Sequence, residues 1–201
     1  MGGGGFGREV YQAVMASPRF RQREGITSIE YLDDGSPALL RAPIATTIDG
    51  YDKREGDIGL CAIGSPATRR EVVARLSSKG LAFPAFVDDR AEVGDHVVLA
   101  EGAIVCCGSV LTVDIALGEH THINTRCTVG HDVVIGGFCT LSSQCNLTGG
   151  VRVGDNVFFG TAATVIPGKS IGTGARVGAG SVVVRNVKAD DAVFGNPARR
   201  I

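Results

Sequence analysis

Four histidines, His96, His120, His122 and His131, are the side chains of this 201-residue chain best suited to moving a proton near neutral pH. His131 is followed directly by Asp132, a His–acidic pair that suits a general base but also suits a plain surface turn, since Asp favours turns. Gly149-Gly150 follows eighteen residues after His131. It could be a simple bend or could lend backbone N–H groups to a developing negative charge. Three imidazoles and a water also make a catalytic zinc site, so His120, His122 and His131 leave a metal reading open at this point. Six cysteines are present, at 61, 106, 107, 127, 139 and 145, with no C-x-x-C pair, which gives zinc little support. Disulfides are disfavoured in a reducing compartment.

Composition narrows the classes. Hydrophobic residues make up 44% of the chain but aromatics only 5%, and Trp is absent, so the core must be built from small aliphatic side chains. The formal net charge of -1 offers no basic footprint for nucleic acid. No apolar run is long enough to span a membrane. The start Met1-Gly2-Gly3-Gly4-Gly5 has neither the basic region nor the apolar stretch of a signal peptide, and a cytoplasmic location is the default expectation.

The elements that must position these residues are set by a repeat. Stepping by six from Val87 to Val183 meets seventeen apolar residues in a row, sixteen of them aliphatic. If about half of all residues are apolar, chance agreement is on the order of one in a hundred thousand. A column of small residues lies four positions after each, including Ala103, Cys127, Cys139, Cys145 and Ala163, and a glycine-rich column lies one position after. Large, small and glycine at fixed offsets describe a triangular coil with three hexads, or eighteen residues, per turn. Coils stacked about 4.8 Å apart would give a prism roughly 27 Å long. Cys127, Cys139 and Cys145 then sit inside as small hydrophobes. Gly149 falls one coil beyond His131, so the two positions should stack.

Before Val87 the period is absent, and residues 1–86 read as a separate small α/β domain with a parallel sheet, ahead of a β-helix over 87–201. The glycines 2–5 lead into a helix over 8–14. Strands are predicted over 26–32 and 57–63, with Asp33-Asp34-Gly35 ending the first. Ser65 and Pro66 mark the start of a helix that runs to about Ser78 and stops at Gly80. Gly3, Gly4 and Gly5 could present N–H groups to a phosphate, and Asp33 is placed to take a ribose hydroxyl, as in Rossmann-like domains. A glycine-rich start without a ligand is the equal alternative. The strand that ordinarily precedes such a loop has no counterpart, because Met1 stands where it should end.

With the six-residue columns, the stretch Ile123-Asn-Thr-Arg-Cys-Thr-Val-Gly-His131-Asp132-Val-Val-Ile-Gly136 and the tail Phe194-Gly-Asn-Pro-Ala-Arg199 resemble the hexapeptide-repeat sugar acetyltransferases of surface-glycan biosynthesis. That group includes N-acetyltransferases for nucleotide-linked 4-amino sugars, as in the bacillosamine and perosamine pathways, and sialic acid O-acetyltransferases. The resemblance covers nearly the whole chain. It implies a left-handed parallel β-helix, a homotrimer with active sites between subunits, acetyl-CoA as co-substrate, a nucleotide-linked sugar as partner and no metal. It further implies that His131 is the general base supported by Asp132, that Asn124 contacts the sugar, that the Gly149 N–H meets the thioester carbonyl, and that Thr161 and Ala179 lie along the cofactor.

Two positions depart from the pattern. Thr140 stands where a second histidine usually contacts acetyl-CoA; its hydroxyl could still donate a hydrogen bond, so it is kept as a cofactor contact. Phe6 replaces a histidine near the substrate. Both leave open the sugar and the choice between N- and O-acetylation, including O-acetylation of sialic acid. Two other classes stay in view: a non-catalytic nucleotide-sugar binder, and the zinc carbonic anhydrases built on hexapeptide repeats, whose H-x4-H spacing is absent here. His96, His120 and His122 are otherwise expected at the surface.

Overall fold

From His96 to Gly180 every sixth residue has a positive φ, and this left-handed step turns the chain at each corner of a prism. Asp114, Asp132 and Asn156 accept that conformation readily, because a short polar side chain tolerates it, as glycine does. Between corners the chain makes two-residue strands. The computed structural model describes residues 2–35 and 40–201 and contains seventeen of these in the repeat, from Phe86–Val87 to Val182–Val183. The first fourteen each pair in parallel with the strand eighteen residues on, as in Thr128↔Asn146 and Thr140↔Phe158, which is the predicted coil length, whereas Arg176–Val177 pairs sixteen residues on, with Ala192–Phe194. The strands form three sheets, the faces of the prism, and the chain ends with Ala192–Phe194 and the antiparallel Arg199–Arg200.

The large column fills the interior. Leu117, Ile123, Val129, Ile135, Leu141, Leu147 and Phe159 are buried in one continuous core with Cys127, Cys139 and Cys145. Each buried aliphatic side chain contributes about 1.5–3 kcal/mol relative to exposure. Val93 departs from the column at 39% exposed, because it lies in the first coil and no coil stacks above it. The glycine column has a steric origin: a Cβ at Gly118 would collide with the backbone of Gly136 and Gly137 in the next coil. The three core thiols point at carbonyls of the wall (Cys139 Sγ to Gly154 O, 3.0 Å), and burial lifts the Cys139 thiol to about 11.

The front region holds helices α1 (Gly5–Met15), α2 (Pro18–Arg23) and α3 (Pro66–Ser77) and a parallel pair, β1 (Tyr31–Leu32) with β2 (Ile44–Thr46). The α/β class stands, but the strands are shorter than predicted. Of 26–32 only Tyr31–Leu32 pairs, and 57–63 makes a single bridge, Ile58↔Ala82. The predicted start of α3 is met: Ser65 accepts a long hydrogen bond from Thr68 N at 3.5 Å, and Pro66 opens the helix.

This region covers one face of the prism, the one carrying Phe86, Ile104, His122 and Thr140, all buried. Its hold on the neighbouring edge is specific. The corner residues His120, Phe138 and Asn156 stack in successive coils. The Arg70 guanidinium of α3 lies 4.0 Å above the Phe138 ring and donates to Asn156 Oδ1 at 3.0 Å. His120 stacks on Phe138 with ring centroids 5.1 Å apart. The expectation that His120 and His122 lie at the surface is therefore wrong: they are 4% and 0% exposed. On the bare prism both positions face outward; the front region buries them. His96 is exposed, as expected.

Candidate active site

Each corner of the prism repeats every eighteen residues, so the chain has three edges. One, the base edge, carries His131 and Asp132 above Gly149 and Gly150. Asp132 has φ 62, and this brings its carboxylate back to the preceding ring, where Oδ2 takes the His131 Nδ1–H at 2.7 Å. That bond assigns the proton to Nδ1 and leaves a lone pair on Nε2, the state a general base requires. The opposite side of the ring rests on the next coil. A Cβ at Gly149 would collide with His131 Nε2 and Cε1, so only glycine lets the imidazole sit there. The Gly149 N–H has no hydrogen-bond partner among the described residues, whereas Gly150 N donates to the His131 carbonyl at 2.8 Å. The imidazole, its orienting carboxylate and a free N–H thus meet at one corner. Both side chains of the pair are open to solvent, at 66% and 62% exposed.

The second, docking edge is the one gripped by α3. The third edge carries the exposed column Thr161 and Ala179, below Thr125 and Ser143. Asn124 stands just before this third corner, ahead of Thr125, with its Oδ1 buried and unpartnered among the described residues. A strip of connecting face separates it from the base edge. This strip carries an axial ladder in which Thr128 Oγ1 donates to Asn146 Oδ1 at 2.7 Å and Asn146 Nδ2 donates to Thr164 Oγ1 at 3.4 Å.

A large cavity of about 750 Å³ lies in the front region. Gly2, Gly4, Gly5 and Phe6 form one side of it, Asp33 and Asp34 another, and the segment 57–64 its floor. Asp33 closes on the glycine loop, with Oδ2 accepting from Gly3 N at 2.6 Å, while Oδ1 accepts from Gly35 N at 2.8 Å. Gly3 itself is buried and does not line the cavity, so its N–H serves the loop's own closure.

Beneath the floor lies a cluster whose central residue, Arg69, no sequence signal singled out. Arg69 of α3 is fully buried. Its terminal nitrogens make six hydrogen bonds, to Ile63 O, His122 Nδ1, Phe138 O, Cys139 O and, twice, Thr140 Oγ1, at 2.7–3.1 Å. Desolvation lowers the guanidinium to about 10, still charged at neutral pH. Burial, with Arg69 close by, holds His122 well below its ordinary value, and burial holds His120 at about 4. Thr140 is 3% exposed and its hydroxyl donates to Gly64 O at 3.0 Å. The expected contact of Thr140 with acetyl-CoA is not met in this arrangement, because that hydroxyl is fully committed to Arg69 and Gly64. The three-histidine zinc reading fails on the same geometry. His122 Nδ1 is occupied by Arg69, and His120 and His122 are enclosed, while His131 stands on another edge.

The solved structure of PerB from Caulobacter crescentus, in complex with CoA and GDP-perosamine, matches 99% of this chain and 94% of that one at 30% identity, with a TM-score of 0.87. The chain belongs to the hexapeptide-repeat acyltransferases. WeeI from Acinetobacter baumannii is similar to this acyltransferase at 30% identity and a TM-score of 0.88, covering 98% of this chain and 95% of that one. The acetyltransferase domain of PglB from Neisseria gonorrhoeae gives 25% and 0.91, covering 99% and 96%. The left-handed β-helix goes with this membership. Among curated proteins, the acyl-[acyl-carrier-protein]–UDP-N-acetylglucosamine O-acyltransferase of Pseudomonas putida is 36% identical over 110 residues, 54% of this chain. The chain spans only 43% of the length of that relative. No protein-family model matches it. Among the described residues, no helix is long and apolar enough to cross a membrane.

In the acyltransferase the residues singled out from sequence fall into three groups. His131, Asp132 and Gly149 are together on the base edge. Asn124, Thr161 and Ala179 are together on the third edge, six residues of extended chain away, at most about 20 Å. Gly4, Gly5 and Asp33 line the front cavity, which none of the edge residues lines.

Proposed function

We propose that this acyltransferase moves the acetyl group of acetyl-CoA to the amino group of a nucleotide-linked sugar. The observation that carries the reading is the corner at His131, where the Asp132 contact leaves Nε2 its lone pair and the ring rests on Gly149, whose N–H has no partner among the described residues. The acceptor nitrogen attacks the thioester carbonyl carbon, and His131 Nε2 takes the proton that nitrogen must lose. Charge gathering on the carbonyl oxygen meets the Gly149 N–H. The tetrahedral carbon then expels the CoA sulfur, and the imidazolium returns its proton to that thiolate. No covalent enzyme intermediate is required.

The acceptor class follows from the cavity and from the relatives. A volume of about 750 Å³ beside a glycine-lined helix start fits a nucleotide sugar, and the PerB relative was solved with CoA and GDP-perosamine bound. The separation of the edges supports active sites shared between subunits of a homotrimer. A second copy seated on the connecting face would bring its base edge to the third edge of the first. It would also cover the exposed His131–Asp132 pair and exclude water from the reaction.

A thiol-release assay with acetyl-CoA and a panel of UDP-, GDP- and dTDP-linked 4-amino sugars, plus free sialic acid, tests the reading. Turnover of an amino sugar supports it. Turnover of sialic acid alone would replace it with O-acetylation. No turnover on any of them would contradict it.

A further inference from the structure

We propose that Arg69 is a positioning residue for the acceptor: it pins the Ile63 carbonyl to the prism and so aims the Gly64 N–H into the front cavity. This rests on the acyl-transfer reading above and adds a role for a side chain that touches neither substrate. The peptide between Ile63 and Gly64 carries the pin. A trans peptide is planar, so its C=O and N–H point in opposite directions. Arg69 Nη1 donates to Ile63 O at 2.7 Å, which turns that carbonyl toward the prism. The Gly64 N–H must then point the other way. Gly64 lines the cavity and Arg69 does not. The Gly64 N–H has no hydrogen-bond partner among the described residues. A Cβ at Gly64 would meet nothing within 4 Å, so an oxygen of a bound ligand has room to approach the backbone.

The rest of the cluster makes the pin directional. Arg69 can only donate, so His122 must offer a bare Nδ1 and Thr140 must accept at Oγ1. Thr140 then spends its single proton on Gly64 O at 3.0 Å. Two consecutive carbonyls, Ile63 and Gly64, are thereby drawn to the prism. A lysine at 69 could not reproduce this, since one ammonium cannot span the acceptors a planar fork reaches.

The test compares wild type with Arg69→Met, Arg69→Lys and Thr140→Val. KM is measured separately for acetyl-CoA and for the amino sugar turned over by wild type, with amide hydrogen exchange followed over residues 60–66. Arg69→Met should raise the acceptor KM about tenfold or more while the acetyl-CoA KM stays within about twofold. Lysine should not rescue it. Thr140→Val, which keeps the arginine, should give a smaller rise in the same direction and faster exchange at 60–66. Equal rises in both KM values, rescue by lysine, or an unchanged acceptor KM in a folded Arg69→Met protein would overturn the proposal. If wild type turns over no amino sugar, the acyl-acceptor reading fails. Exchange then decides the pin alone: unchanged exchange at 60–66 in Thr140→Val overturns it, and faster exchange confined to that segment supports it.

Discussion

Asp132 and Phe138 sit six residues apart at successive corners of the same prism with nearly the same φ, 62 and 56, yet they have opposite fates. Asp132 stands in solvent and turns its carboxylate to a histidine. Phe138 is 4% exposed, clamped between His120 and Arg70. The repeat makes the two corners alike in backbone and leaves their use to the outward side chain and to what covers it. At Asp132 a short polar residue accepts the left-handed turn and bonds the neighbouring imidazole. At Phe138 an aromatic residue in a conformation that ordinarily disfavours it is held by the packing of α3. In the proposed function the first corner reacts, while the second anchors.

The largest effect that would break this contrast is at the reactive corner. Replacing His131 with Ala should lower kcat by about a hundredfold or more, with thermal stability nearly unchanged because the ring is exposed. A similar loss of stability and rate would mean His131 is structural. Gly149→Ala should cost about tenfold or more in kcat, since the new methyl displaces the imidazole, and a structure of that variant should show the ring moved. In the core beneath the anchoring corner the effect should reverse. Truncating Leu141, a fully buried core residue one strand beyond Phe138, should destabilise by about 2–5 kcal/mol in chemical denaturation.

The pH dependence of folding sharpens the comparison from the anchoring side. His120 and His122 are held below their unfolded values, so unfolding takes up protons below about pH 6.5. Stability should therefore be insensitive to these two groups above that pH and fall as pH drops toward 4. Substituting His120 with Gln should flatten the fall, as read by melting temperature across pH 4–7. The smallest effect concerns the thiols: Cys139, enclosed and with its thiol raised to about 11, should resist a thiol reagent in the folded protein and react once it unfolds.

Much of the prism was legible because a β-helix repeats one local rule. Val105 to Val183 at six-residue spacing, the cysteines among the small residues and the coil of eighteen all follow from side-chain alternation and corner sterics. The start of α3 was legible from Ser65 and Pro66 for the same local reason. The strands over 26–32 and 57–63 were not, because apolar runs that merely pack beneath helices look like strands. His120, His122, Thr140 and Arg69 were missed or misplaced for one shared cause. Their environment is made by a contact between segments fifty to seventy residues apart in the chain, and no local pattern encodes which outward face will be covered. An arginine in the polar stretch Thr-Arg-Arg-Glu of a helix gives no sign of which of the two turns inward.

The account depends most on the separation of the base edge from the edge bearing Thr161 and Ala179, and subunit mixing tests that directly. His131→Ala disables the first edge and Ala179→Trp blocks the second; each variant alone should be inactive. If every site takes one edge from each of two neighbouring subunits, co-assembling the two at equal amounts should restore about a quarter of wild-type turnover by random pairing. If the mixture stays as inactive as its components, both edges must act within one chain, and the shared-site account is contradicted.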